Sequence, residues 1–422
     1  MVFAEQGTGK TLPTIYHITN LFMMGEITSA LIVAPKSAIG SWERDMEKLP
    51  KSRRKYTKDI VVTNYDKFSR ETSKVRIEYE NGVDLVVLDE GHAIKNSTSN
   101  RAKYFIGHKH GKTIHIGMNG KSKYRYILTG TPITNGKLHE FWGLMEFISP
   151  GELGSFKEFT AHYCVMRKIP GSYFEFPVDY RNKEELQEHV GAHSYRILKK
   201  DCLDLPDKLP DEVVYCDLTE KTVYKQAEKD MVVEMFESSI STKMVLMSKL
   251  RQICSGFYTD EYKDVHELTS EKPKMLQELV ESIGKKIVIF YIFKKSHENI
   301  VKTLDKMKLK HVSLNGKQPN KTIWRDFQAS KDIQVIVVQY QSGCSGIDLY
   351  ESTHTIYYEP PLSSTILEQS RDRTHRIGVK NHCNYYFLIT KGTMEQKIYE
   401  RLVGYQDFTV KYLKEMYEKE MY

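Results

Sequence analysis

The chain has no run of 18 apolar residues in its 422, so no transmembrane helix and no membrane partner are expected. Met1 to Gly7 lacks a basic stretch followed by an apolar one, so no secretory signal is expected. The six cysteines, Cys164, Cys202, Cys216, Cys254, Cys344 and Cys383, form no CxxC pair. That argues against a zinc site and for free thiols in a reducing compartment. Low-complexity segments and short repeats are absent. Phe and Tyr are numerous, yet they form no ladder of the kind that stacks single-stranded bases. The excess of positive charge is small, +7 in all, which permits a polyanionic partner without demanding one.

What is present is an alternation of short apolar runs with longer helical stretches. Ser29–Ala34, Asp59–Thr63, Val83–Leu88 and Tyr126–Leu128 are nearly continuous in Val, Ile and Leu, as parallel strands covered on both faces require. A second such series follows Pro273, at Lys286–Tyr291, Ile333–Val338, Thr355–Tyr358 and Asn384–Ile389. Between them, residues 138–200 read as mostly helical, with interruptions near Pro150 and around Pro170–Pro177. Residues 204–211 place two prolines among charges, as an extended connector does. Residues 217–255 return to helical spacing, with Met231, Met235, Met244 and Met247 read as core filler. The expected fold class is α/β, with two parallel-sheet lobes and helical insertions between them.

Two motifs carry chemistry. Ala4-Glu-Gln-Gly-Thr-Gly-Lys-Thr11 lies between a short apolar run and a helix. Glycines there let backbone N–H groups wrap a phosphate, Lys10 adds a point charge and Thr11 offers a hydroxyl to Mg²⁺. Gly7, Thr8, Gly9, Lys10 and Thr11 are therefore the candidate ATP-binding residues. Some 80 residues later an apolar strand ends in Asp89-Glu90. A phosphate-loop site needs an acid at a strand end for the metal and a second group to orient the attacking water. Asp89 suits the first role and Glu90 the second, while His92 can link the nucleotide site to a nucleic-acid site.

From here the sequence resembles the Swi/Snf-type DNA translocases of helicase superfamily two. Asp89-Glu-Gly-His-Ala-Ile-Lys-Asn96 is similar to that family's motif II, and Leu128-Thr-Gly-Thr-Pro-Ile-Thr-Asn135 to its motif III. The segment with Glu140, Phe147, Pro150 and Phe156, the connector Leu205-Pro-Asp-Lys208, motif VI at Gln369–Gly378 and Thr390-Lys-Gly-Thr-Met-Glu395 follow in the family's order. The resemblance implies two RecA-like lobes: lobe one at 1–140 with a helical protrusion at 141–204, a connector at 205–216, a second protrusion at 217–272, lobe two at 273–405 and a C-terminal helix at 406–422. It implies that Arg373 and Arg376 reach the γ-phosphate, with Gln369 beside the nucleotide, and that Thr129 and Thr131 join His92 in coupling. It also places Lys36, Ser37, Thr63, Asn64, Ser342 and Gly343 against the DNA backbone. Backbone contacts suit a motor, which cannot depend on base sequence. The basic run Lys51–Lys55 reads first as a solvated loop and second as a further phosphate contact.

Several positions depart from the family pattern. Cys344 stands for a glycine, Asp348 for an asparagine, Gln339-Tyr340 for Ser-Thr and Val379 for a glutamine. Arg371 occupies a position usually acidic and is given no catalytic role. The adenine-reading region that precedes the phosphate loop in the family is not in this sequence, and residues 32–63 are short for it. The resemblance implies an ATP- and Mg²⁺-dependent motor on duplex DNA; the compact form suggests a bacterial or viral source, and a monomer is expected, intracellular, and cytoplasmic in a bacterial or phage-infected cell rather than nuclear. The alternatives are a strand-separating DNA or RNA helicase of another branch, and a degenerate clamp that binds DNA without hydrolysis.

Overall fold

The computed structural model describes residues 1–404 except 71–73, 111, 133–136, 169–174, 238–239, 317, 319, 321 and 344–346. The expected C-terminal helix at 406–422, motif III residues Ile133, Thr134 and Asn135, and motif V residues Cys344 and Gly346 lie outside them. So does the side chain of Met235. The chain divides into two compact units, Met1–Leu203 and Asp204–Tyr422.

The first unit is built on six parallel strands: β1 Val2–Ala4, β2 Ala30–Ala34, β3 Ile60–Asn64, β4 Leu85–Asp89, β5 Tyr124–Thr129 and β6 Tyr195–Ile197. Their spatial order is β6-β1-β5-β4-β2-β3. Strand side chains alternate between faces. Ala30, Ile32, Leu85 and Val87 thus pack on one face with Ile15 and Ile18 of helix Thr11–Met23 and Trp42 of helix Ile39–Glu47. Leu31, Val33, Val86 and Leu88 pack on the other, against Phe105 and the helices Phe141–Ile148 and Phe156–Tyr163. Burial on both faces explains the unbroken apolar strands.

The second unit repeats the plan with β7 Glu212–Cys216, β8 Ile287–Tyr291, β9 His311–Leu314, β10 Val335–Gln339, β11 His354–Tyr357 and β12 Asn384–Thr390. The order is β7-β12-β11-β8-β10-β9, all parallel. Val288 and Phe290 face one core, Ile287 and Ile289 the other.

The eight expected strands all form, each within two residues of its expected ends. In the two six-stranded sheets, three further strands were not expected. Tyr195–Ile197 lies in the stretch read as helical, yet it joins the first sheet beside β1. Glu212–Cys216 lies in the expected connector, yet it pairs along its whole length with β12. His311–Leu314 closes the far edge of the second sheet. The mostly helical reading of 138–200, interrupted around Pro170–Pro177, also misses the strands Cys164–Lys168 and Glu175–Tyr180, which form an antiparallel hairpin with a bulge at Val165/Met166. Its Val165, Phe176 and Val178 favour a pleated surface, and Pro177 bars a helix there. Met231 and Met247 fill the core of the second unit, whereas Met244 is exposed.

Candidate functional site

Parallel strands deliver their carboxyl ends to one edge of a sheet. In the first unit that edge carries, strand by strand, the phosphate loop after β1, Thr129 and Thr131 at β5, Asp89 to His92 at β4, Lys36-Ser37 after β2 and Asn64 at the end of β3. At about 4.8 Å per strand the set spans roughly 20 Å.

The phosphate loop turns through Gly7 and Gly9, whose φ values of +86° and +80° favour glycine. Thr8 closes it by donating from its hydroxyl to the Glu5 carbonyl at 2.8 Å. Helix Thr11–Met23 follows directly. Pro13 sits in its first turn, where a missing N–H leaves no helical bond unmade. The Lys10 ammonium donates to the Ala4 carbonyl at 2.8 Å, which places its charge at the mouth of the loop.

Asp89 is buried at the end of β4. Its Oδ2 accepts a hydrogen bond from Trp42 Nε1 at 2.9 Å, and its Oδ1 accepts one from the Glu90 N–H at 3.0 Å. Burial, and then the negative charge of Glu90, push its carboxyl up to about 6, against the opposing pull of the Trp42 bond and the charge of Lys10. A buried carboxylate beside a second carboxylate, on the sheet edge that also carries the phosphate loop, fits a hard divalent cation. Mg²⁺ needs only one or two carboxylates when nucleotide phosphates and water complete its shell. Thr11 and Asp89 are the residues that would hold it.

Glu90 adopts φ +50°, the left-handed region that a non-glycine residue enters at a cost of roughly 1 kcal/mol or more. Gln6 Nε2 donates to Glu90 Oε1 at 3.3 Å, and His92 Nδ1 lies 3.3 Å from both Glu90 Oε2 and Thr129 Oγ1. Thr129 Oγ1 also accepts from the Thr131 N–H at 3.2 Å. The expected coupling residues His92, Thr129 and Thr131 thus form one polar chain with Glu90. Gln6 belongs to the chain too, and nothing in the sequence marked it. Gly91 is required sterically, since a Cβ there would lie 2.6 Å from Ile127 Cγ2. Lys95 pairs with Glu140 at 3.1 Å, tying motif II to the segment after motif III.

The expected backbone contacts divide. Lys36 and Ser37 are exposed, and Asn64 and Ser342 are half-buried. Asn64 Oδ1 caps helix Tyr65–Phe68 by accepting from the Lys67 N–H at 2.8 Å. Thr63 and Gly343 are buried. Thr63 is buried with its hydroxyl enclosed, because residue 63 faces the sheet interior. Gly343 is packed so that a Cβ would meet Val338 Cγ1 at 2.1 Å. In the basic run, Arg53 donates to Thr19 Oγ1 and Asn20 Oδ1 and lies over the Tyr16 ring, while Arg54 donates to the Leu49 carbonyl. Both arginines are engaged by their own fold.

In the second unit, helix Ser364–Thr374 carries motif VI. Arg373 is buried; its Nε donates to the Gln369 carbonyl at 3.0 Å and its Nη1 to the Ile347 carbonyl at 3.3 Å. Arg376 Nη1 donates to the same Ile347 carbonyl at 3.1 Å and pairs with Asp348. Motif V thus holds both arginines, and Asp348 has an ionic role that an asparagine could not fill. Arg371 binds Asp211 with both carboxylate oxygens at 2.6 and 2.7 Å and Glu368 at 2.6 Å, over the ring of Tyr385. Its guanidinium is spent on fixing β7 and the connector to motif VI. Tyr340 stacks on Phe290 and donates to the Glu359 carbonyl, which accounts for a tyrosine there.

The pattern for the SNF2-related domain matches residues 1–258, and that for the helicase conserved C-terminal domain matches residues 271–378. The chain belongs to the SNF2-related family. It is 25% identical over 490 residues to the DNA repair and recombination protein RDH54 of Saccharomyces cerevisiae strain S288c, covering 99% of this chain and 50% of that protein. It is 25% identical over 428 residues to an ATP-dependent helicase, MG018, of Mycoplasma genitalium, covering 93% of this chain and 38% of the relative. The chain thus spans about half the length, or less, of these curated relatives. Among solved structures, the Sulfolobus solfataricus SWI2/SNF2 ATPase core in complex with dsDNA is 26% identical, with 96% of this chain and 86% of that one covered and a TM-score of 0.41. The fold itself is fixed by the strand orders of the two sheets.

Proposed function

We propose that the chain is an ATP- and Mg²⁺-dependent motor that moves along duplex DNA without separating its strands. The observation that carries this reading is the common carboxyl edge of the first sheet. There the phosphate loop, the Asp89–Glu90 pair and the exposed Lys36-Ser37 loop stand on strands of one rigid sheet. In this reading Lys10 leaves the Ala4 carbonyl for the nucleotide phosphates, and Thr11 and Asp89 would hold Mg²⁺, which would supply further positive charge there. Glu90, held by Gln6 and His92, orients the attacking water. Arg373 and Arg376 supply positive charge to the γ-phosphate. An arginine in that role is worth about 10³–10⁵ in rate. The duplex is held through its phosphates by Lys36, Ser37, Asn64 and Ser342.

Family membership and the sheet-edge arrangement support the motor over the non-hydrolysing clamp, since Lys10, Asp89, Glu90 and both arginines are all present. A triplex-displacement assay tests the movement. ATP-dependent release of a third strand from a duplex, with no opening of a long blunt duplex, is expected. Vigorous unwinding of that duplex would favour the strand-separating helicase instead.

A further inference from the structure

We propose that Trp42 and Tyr65 are positioning residues that transmit duplex engagement to Asp89. The inference rests on the motor reading. Each aromatic lies just downstream of one candidate DNA loop. The Lys36-Ser37 loop runs into helix Ile39–Glu47, which carries Trp42. Asn64 caps helix Tyr65–Phe68, which opens with Tyr65. Both side chains end on the same residue: Trp42 Nε1 donates to Asp89 Oδ2 at 2.9 Å, and the Tyr65 hydroxyl donates to the Asp89 carbonyl at 2.8 Å.

The two approach from opposite faces of the sheet. Trp42 is 1% exposed and packs in the cluster of Ile15 and Ile18, which belong to the helix that follows the phosphate loop. Tyr65 is 5% exposed and packs on the other face, with its ring edge-on to Phe105 and the Arg101 guanidinium 5.4 Å above it. A position that only needed volume could be filled by Phe. An indole N–H and a phenol O–H are tolerated in such cores only where they find partners, and here both find Asp89. Interiors packed at this density pass on displacement instead of absorbing it. A shift of either loop when it takes up phosphate therefore moves a donor on the candidate metal ligand. The Trp42 donor sets the orientation and basicity of the ligating carboxylate, and the Tyr65 donor fixes the main chain that carries it.

The test uses the full chain with Trp42→Phe and Tyr65→Phe, which keep aromatic bulk and delete one donor each. Each variant is expected to raise the Mg²⁺ concentration for half-maximal hydrolysis and to cut duplex stimulation, by about tenfold. Duplex affinity without nucleotide stays within about twofold, as expected for residues that do not touch phosphate. A second readout needs no turnover. Only Trp42, Trp142 and Trp324 are present, so Trp142→Phe with Trp324→Phe leaves Trp42 as the sole indole. Its emission is expected to change when duplex alone is added. Should that chain not fold, Tyr65→Phe still carries the test with all three tryptophans in place. If wild-type hydrolysis ignores duplex, the motor reading itself fails. If wild type is stimulated but both variants keep its Mg²⁺ dependence and stimulation, or lose basal and stimulated rates equally with a lower Tm, the two residues serve packing alone and the inference is overturned.

Discussion

Asp89→Asn is expected to stabilise the protein while abolishing hydrolysis. The Asp89 carboxyl stands at about 6 against an ordinary 3.8, through burial and the neighbouring Glu90 charge. Between these values the folded chain holds a proton that the unfolded chain has released. Stability therefore falls as pH rises through the window, and the loss is complete above about 6. At roughly 1.4 kcal/mol per pH unit the loss is about 3 kcal/mol. Asn is neutral at every pH and, like the protonated acid, sets one donor against Trp42 or the Glu90 N–H. It should therefore recover up to about 3 kcal/mol at pH 7.5, and nothing below about pH 4. For a unit the size of Met1–Leu203, that corresponds to a Tm gain of about 6–12 °C at most. Calorimetric melting of both proteins in EDTA across pH 4–8 measures it. A variant that melts at or below wild type at pH 7.5, or a gain that does not shrink on acidification, would refute the reasoning.

Other outcomes follow from single contacts. Lys272 is fully buried, with its ammonium 2.6 Å from Glu395 and 2.8 Å from the Tyr358 carbonyl. Lys272→Met leaves Glu395 charged and enclosed, and should cost about 3–5 kcal/mol in denaturant titration. Gly343→Ala must displace Val338, and a loss of about 1–3 kcal/mol is expected in the same titration. Asp348→Asn removes the partner of a half-exposed Arg376. Because such pairs are worth about 1 kcal/mol or less, kcat for ATP should rise by no more than about fivefold. Arg376→Ala should lower that kcat by about 10³ or more with the fold intact by circular dichroism.

The sequence showed most clearly those elements that bury both faces. Ala30–Ala34, Leu85–Asp89, Ile287–Tyr291 and Val335–Gln339 are central strands, and their unbroken apolar runs exposed them. Tyr195–Ile197, Glu212–Cys216 and His311–Leu314 all lie at sheet edges, where one neighbour suffices and polar residues are tolerated. Their strand character comes from the partner strand, which no local pattern records. The same division runs through the site. The phosphate loop and Asp89-Glu90 were legible because phosphate and metal dictate residue types at fixed spacing. Gln6, Trp42 and Tyr65 were not, because their partners are 84, 47 and 24 residues away. Thr63 and Gly343 are buried, which motif position alone does not reveal.

The most direct measurement is steady-state ATP hydrolysis with no nucleic acid, duplex DNA, single-stranded DNA or RNA, beside a Lys10→Ala control. Strong stimulation by duplex DNA, lost in the control, is the predicted result. Hydrolysis that no polymer stimulates, or that RNA stimulates above duplex DNA, would contradict the account.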